Sequence, residues 1–194
     1  MEKTLACLAK ALVGESLARN RYTVYSKVAK KEGFEQISEI FLLTAANEYE
    51  HASWHIKMIN ELLGKSKAAG QEIEVPAGVG IPVGPTKQNL KAAIAGESYE
   101  TSKMYPGFAR IAKAEGYPKI AARLLAIAQA EAHHLERYKK ILKAVETKSV
   151  FKKNKKVWWV CRECGYMHYG TTPPPLCPSC DHAESYYQLK CEEF

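Results

Sequence analysis

The sequence predicts a mainly α protein, a four-helix bundle followed by a small β/knuckle domain, and three observations predict it. Two Glu-x-x-His tetrads, Glu48–His51 and Glu131–His134, lie in long stretches of helical apolar periodicity. Two further helical stretches carry Glu15 and the pair Glu97/Glu100 where a core seam should carry leucine. Near the C-terminus, Cys161-x-x-Cys164 is followed after twelve residues by Cys177-x-x-Cys180.

The elements follow in order. A first helix spans residues 3 to about 30 and is punctuated at Gly33. A second spans about 34 to 63 and stops at Gly64, a residue suited to the left-handed C-terminal position. From Lys65 to Pro85 glycines and prolines are too frequent for a helix, which predicts the long connection that a parallel helix pair requires. The third helix starts at Pro85-Thr86 and ends before Gly116, with a kink expected at Pro106-Gly107. The fourth begins at Tyr117-Pro118, proline being suited to a first turn, and runs to about Thr147. Helices one and two match three and four loosely, each pair combining a Glu helix with a Glu-x-x-His helix. The bundle therefore reads as a duplicated hairpin. The expected division is 1–147 for the bundle, 148–156 for a lysine-rich linker and 157–194 for the small domain.

Burial converts this pattern into chemistry. Steps of three and four give the seams Leu8, Ala11, Glu15, Ala18, Tyr22; Phe41, Ala45, Glu48, Ala52, His55, Ile59, Leu62; Leu90, Ile94, Glu97; and Leu124, Ala128, Glu131, Leu135, Tyr138, Leu142. A glutamate interrupts every one. A lone buried carboxylate loses several kcal/mol to desolvation or stays protonated. Several converging on one another repel unless cations sit between them. Within each tetrad, Glu and His are at i, i+3 and project from one face toward one ion. Five glutamates and two histidines on four helices form the ligand set of a carboxylate-bridged di-iron centre.

The small domain starts at the strand-like Trp158-Trp159-Val160. Two Cys-x-x-Cys pairs make a tetrahedral thiolate site, each pair a tight knuckle whose N–H groups point back at the sulfurs. Zinc ribbons share the spacing; Gly165-Tyr166, the proline run 173–175 and the flanking aromatics favour iron. A unit this small depends on its metal to fold.

Composition bounds the rest. The 194 residues carry a formal net charge of +7. Lys152, Lys153, Lys155 and Lys156 form the basic cluster, with no aromatic ladder beyond Phe151 and Trp158, so it reads as a solvated linker and not as a nucleic-acid site. Glu2, Lys3 and Lys10 break any signal-peptide core, no apolar run reaches the ~20 residues of a membrane span, and the cytoplasm is the expected compartment. Cys7 and Cys191 have no obvious partner or activating neighbour and read as inert thiols.

These segments together resemble the rubrerythrin family, a ferritin-like di-iron bundle followed by a rubredoxin-like domain. The resemblance rests on Gly14-Glu15-Ser16 through Asn20-Arg21-Tyr22, Glu48-Tyr49-Glu50-His51, Gly96-Glu97-Ser98-Tyr99-Glu100 through Met104-Tyr105-Pro106, Glu131-Ala132-His133-His134 and Cys161 to Cys180, and it covers nearly the whole chain. It implies a non-haem peroxidase that reduces hydrogen peroxide to water in oxidative-stress defence. Two irons would occupy the bundle, Glu48 and Glu131 bridging them. Glu15 would bind one, Glu97 and His134 the other, with His51 and Glu100 exchanging at the first iron as its redox state changes. One iron on Cys161, Cys164, Cys177 and Cys180 would relay electrons from an external reductase or rubredoxin. Zinc or manganese can replace iron. Tyr22 and Tyr105 match tyrosines beside the family's centre. Asp181 departs from the glycine usual in the second knuckle, and aspartate tolerates the left-handed region better than most residues.

The ligand set agrees with this implication, since a ferritin-type ferroxidase centre has fewer carboxylates. A ferroxidase or iron-handling protein is the alternative, and the four-cysteine relay argues against it. The short linker makes a homodimer or higher assembly the expected working unit. His133 reads as a surface histidine or one behind the ligands, and not as a ligand; His55 as either a support for the site or a hydrogen-bonded core histidine; His168 and His182 as exposed; Glu50 as solvated.

Overall fold

The computed structural model describes residues 2–64, 72–76, 78 and 83–191. The helices are α1 (Glu2–Lys31), α2 (Glu35–Leu63), α3 (Thr86–Tyr99), a π turn (Glu100–Met104), α4 (Tyr105–Ala114) and α5 (Pro118–Glu146). They form a ferritin-like bundle in which α1 packs along α2, while α3 and α4 pack on α5. The expected connection from Lys65 to Pro85 lies largely outside the described residues; within it, Ile73 and Val75 pack on the bundle.

The kink expected at Pro106 takes the form of the π turn just before it. Pro106 has no N–H, and its ring displaces the carbonyl four residues back. The Tyr105 N–H bonds instead to the Glu100 carbonyl, five residues back. A π turn absorbs one extra residue and shifts the downstream face by one position. Stepping from Glu97 in threes and fours would bury residues 104, 108 and 111. Downstream of the turn the fully buried positions are Tyr105, Ala109 and Ala112, with Met104 kept inside as well.

The core divides into two apolar clusters. Leu8, Ala11, Met58, Tyr105, Leu124 and Ala128 belong to one. Ala18, Tyr22, Phe41, Ala45, Leu90 and Tyr138 belong to the other. The seam glutamates lie between them, flanked by alanines that leave room for carboxylates. Leu62, Ile94, Leu135 and Leu142 are half-buried seam edges.

The small domain is a three-stranded antiparallel sheet ordered β2–β1–β3, from β1 (Val157–Cys161), β2 (Met167–Gly170) and β3 (Tyr187–Leu189). Trp159 and Tyr187 fill its core beside Cys161 and Cys177. The domain rests on the bundle end where α1 turns into α2. Arg162 pairs with Glu39, and Phe151 stacks on Phe34 at 6.3 Å between ring centroids. The linker is thus less solvated than expected: Lys153 is half-buried and donates to the Ser149 carbonyl at 2.5 Å, whereas Lys152, Lys155 and Lys156 are exposed. Among the described residues no helix is long and apolar enough to cross a membrane.

Candidate metal centres

Four helical elements deliver carboxylates to one buried point. Glu15, Glu48, His51 and Glu131 form one group of four potential ligands, and Glu48, Glu97, Glu131 and His134 a second; within each, the ligand atoms lie within 4.8 Å of one another. Glu48 and Glu131 belong to both groups. Glu100 belongs to neither, although it is buried beside Glu97. Glu15, Glu97 and Glu131 are fully buried. The His51 side chain keeps 12% exposure and marks the edge of the site nearest solvent.

The electrostatics are those of a cation trap. Burial, then the charges of Glu131, Glu48 and Glu100, push Glu15 well above the usual carboxylate range. Burial and Glu97 do the same to Glu100. Glu97 is raised to about 7 by burial, against the pull of His134. Burial also opposes charge on Glu48, but His134 and His51 outweigh it and bring Glu48 down to about 2. Burial disfavours the charged histidines too. Close ion-pair contacts with Glu131 and Glu48 prevail and lift His51 to about 9 and His134 to about 11. Glu15 Oε2, Glu48 Oε1, Glu97 Oε2, both Glu131 oxygens and His134 Nδ1 are buried with no hydrogen bond among the described residues. Divalent ions would displace the protons of His51 and His134, and the buried carboxylate oxygens with the freed ring nitrogens then fit two such cations.

Two tyrosines brace the carboxylates from opposite sides. Tyr22 on α1 donates to Glu97 Oε1 on α3 at 2.5 Å, and Tyr105 on α4 donates to Glu15 Oε1 on α1. The arrangement is reciprocal, because each hairpin's tyrosine holds the other hairpin's glutamate. Glu15 and Tyr22 are seven residues apart, close to two helical turns. Glu97 and Tyr105 are eight apart, which would rotate the tyrosine by about 80° off the site face in a regular helix. The π turn absorbs the extra residue and returns Tyr105 to the site.

Asn47 is a residue at the site that the periodicity did not reveal. Its Oδ1 lies 3.3 Å from His134 Nε2, while His134 Nδ1 faces Glu131 at 2.8 Å. Asn47 therefore fixes the tautomer that presents Nδ1 to the site. His133 and Glu50 are exposed, as read from the sequence. His55 is fully buried and hydrogen-bonded to Tyr105.

In the small domain the two knuckles repeat one geometry. Gly165 N–H bonds the Cys161 carbonyl and Asp181 N–H the Cys177 carbonyl, both at 2.9 Å. Gly165 has φ 77° and Asp181 φ 58°, so aspartate takes the left-handed position that glycine fills in the first knuckle. Cys161 and Cys180 sulfurs are 3.7 Å apart, Cys164 and Cys177 sulfurs 3.6 Å. A tetrahedron with metal–sulfur bonds of ~2.3 Å has edges of about 3.8 Å, so the four thiols fit one tetrathiolate metal. Burial opposes the Cys177 thiolate, but the Tyr187 hydroxyl and Ser179 N–H bring Cys177 down to about 6. His168 and His182 are half-buried where exposure was expected; His182 Nδ1 lies 3.1 Å from the Cys180 carbonyl, which holds it against the knuckle.

The rubrerythrin family profile matches residues 6–142, and that of the rubrerythrin rubredoxin-like domain matches residues 159–188. The chain belongs to the rubrerythrin family. A Methanocaldococcus jannaschii protein is 56% identical across 100% of this chain and 96% of its own length. Rubrerythrin-1 of Clostridium acetobutylicum is 43% identical over 99% of this chain and 96% of its own. A mixed-valence structure of nigerythrin superposes with a TM-score of 0.64 at 30% identity, covering 96% of this chain and 86% of that one. A Desulfovibrio desulfuricans bacterioferritin shares the ferritin-like fold, with a TM-score of 0.62 at 21% identity over 75% of this chain and 81% of its own. The rubrerythrin family makes the chain an iron oxidoreductase, and its carboxylate–histidine cluster and four cysteines fit iron sites.

Proposed function

We propose that the bundle reduces hydrogen peroxide to water, taking up two electrons and two protons per peroxide, and is reloaded one electron at a time through the four-cysteine site. The observation that carries this reading is the pair of ligand groups sharing Glu48 and Glu131, joined in one chain to a tetrathiolate domain. Two ferrous ions held there would supply both electrons to one peroxide. Glu48 and Glu131 would bridge them, Glu15 and either His51 or Glu100 completing one ion, Glu97 and His134 the other. The hard carboxylate set favours the ferric product.

The chain's own groups do the rest. The apolar clusters flanking the site exclude bulk water, and His51, 12% exposed, is the ligand through which a small substrate would approach. Tyr22 and Tyr105 hold Glu97 and Glu15 by their hydroxyl protons, occupying one oxygen of each carboxylate and leaving the other without a hydrogen bond among the described residues. An external reductase or rubredoxin would feed the small domain, and the working unit would be a homodimer or larger.

Anaerobic stopped-flow mixing of reduced, iron-loaded protein with hydrogen peroxide or dioxygen tests the proposal, read at the visible bands of the ferric thiolate site. Fast oxidation by peroxide with slow oxidation by dioxygen is expected. Equal or faster reaction with dioxygen would move the reading to a ferroxidase.

A further inference from the structure

The two halves of the site are related by the hairpin duplication, yet they differ at one pair of positions. One turn past His134 stands Tyr138, fully buried, whose ring lies 5.6 Å from that of Tyr22; its hydroxyl has no hydrogen bond among the described residues. One turn past His51 the matching position is His55, also fully buried, its ring stacked on Tyr105 at 5.9 Å with 17° between planes. His55 Nε2 lies 3.0 Å from the Tyr105 hydroxyl. The tyrosine that braces Glu15 thus has a polar partner beside it, and the one that braces Glu97 has a tilted aromatic ring.

The proton count along this chain is fixed by its members. Burial, then the nearby His51 charge, pushes His55 down to about 3, so the imidazole is neutral and carries one N–H. With Glu15 ionised, as it must be to bind a metal ion, the one hydroxyl proton of Tyr105 goes to Glu15 Oε1. The contact between Nε2 and the phenol oxygen then requires the proton on Nε2, which leaves Nδ1 bare, consistent with Nδ1 making no hydrogen bond among the described residues. A phenol hydroxyl can otherwise rotate about its C–O bond. With an N–H directed at its lone pair, the rotor has one favourable setting. Glu15 Oε1, 4.0 Å from His51 Nδ1, is consequently occupied by a donor, and Oε2, buried with no hydrogen bond among the described residues, is the oxygen left free for a metal ion.

We propose that His55 is a positioning residue for the half of the metal centre built on Glu15: its Nε2–H locks the Tyr105 hydroxyl onto Glu15 Oε1 and so presents Oε2 as a single-oxygen ligand. This rests on the metal-binding part of the reading above and not on peroxide as substrate. It predicts that the two metal positions differ in their sensitivity to changes behind the tyrosines, His55 serving the Glu15 half alone.

The test is a cobalt(II) titration of metal-stripped full-length protein, following ligand-field absorption against a competing chelator, for wild type, His55→Leu, His55→Gln, Tyr105→Phe and His55→Leu/Tyr105→Phe. His55→Leu is expected to weaken one of the two bundle sites roughly tenfold, the lower end of the effect of losing a supporting hydrogen bond at a metal ligand, and to leave the other unchanged. His55→Gln, whose amide N–H can reach the same oxygen, should recover most of the loss. In the Tyr105→Phe background His55→Leu should cost nothing further, because the group through which His55 acts is gone. Wild-type affinity in His55→Leu, equal weakening of both sites, or additive losses in the double variant would each overturn the proposal. A packing defect alone would give additivity and no rescue by glutamine. The readout needs no turnover, so failure of the peroxide reading leaves this result independent.

Discussion

The Tyr105 hydroxyl, at the end of a π turn, reaches across the bundle to Glu15 on the opposite hairpin. A one-residue irregularity in one helix thereby determines how a carboxylate on another is held. Tyr105→Phe removes that donor and leaves a buried carboxylate oxygen without it, at a cost of about 1–3 kcal/mol. Thermal unfolding of the metal-free protein should show the loss, and Tyr22→Phe should show one of similar size through Glu97.

Asn47 supports His134 from behind. Asn47→Leu should weaken metal binding at the bundle 10–100-fold, roughly the range for losing the partner of a ligating histidine. Asn47→Asp keeps an acceptor at that point and should stay near wild type. Chelator competition checks both, and an unaffected leucine variant would remove Asn47 from the site.

Stability of the metal-free protein should fall as pH rises. Glu97 is raised from the ordinary 4.5 to about 7, and His51 from 6.5 to about 9. Between the unfolded and folded values of each group the folded chain holds more protons, so stability drops across about pH 4.5 to 9. His134, lifted to about 11, extends the decline. Glu48, lowered to about 2, acts the other way below pH 4.5, and His55, lowered from 6.5 to about 3, opposes the decline up to pH 6.5, where the raised Glu15 and Glu100 reinforce it. Divalent metal replaces the protons and should flatten the profile. Melting temperatures across this range, with and without metal, provide the check; a metal-free profile rising with pH would contradict the electrostatics.

Cys161→Ser should abolish reductase-coupled peroxide turnover while leaving a single reaction of pre-reduced protein intact. Survival of coupled turnover would refute the relay.

Much of the fold and of the site is readable in the sequence alone. Glu15, Glu48, Glu97 and Glu131 announce themselves because a carboxylate in a leucine seam has few physical excuses. The knuckles announce themselves because cysteine spacing is nearly their whole structure. The π turn was legible only as an expected kink at Pro106, since periodicity shows that a face has slipped only after the burial of Ala109 and Ala112 is known. Asn47 carries no periodic signal, and its role depends on the ring orientation of a histidine on another helix. His55 stood on the seam, but its partner comes from a segment whose phase the π turn had changed. The Arg162–Glu39 pair joins two domains and has no local precursor in either.

Each ligand group takes residues from both hairpins: Glu131 joins the first hairpin's Glu15, Glu48 and His51, and Glu48 joins the second hairpin's Glu97, Glu131 and His134. Neither hairpin alone assembles either four-residue group. The ions are therefore stitches across a seam that the peptide chain need not close by itself. Fragments ending before and starting after the chain between α2 and α3, produced separately, should remain apart in chelator and reconstitute a bundle when ferrous or cobalt ions are supplied. The centre would then serve as the fastener between two half-molecules as well as the seat of their chemistry.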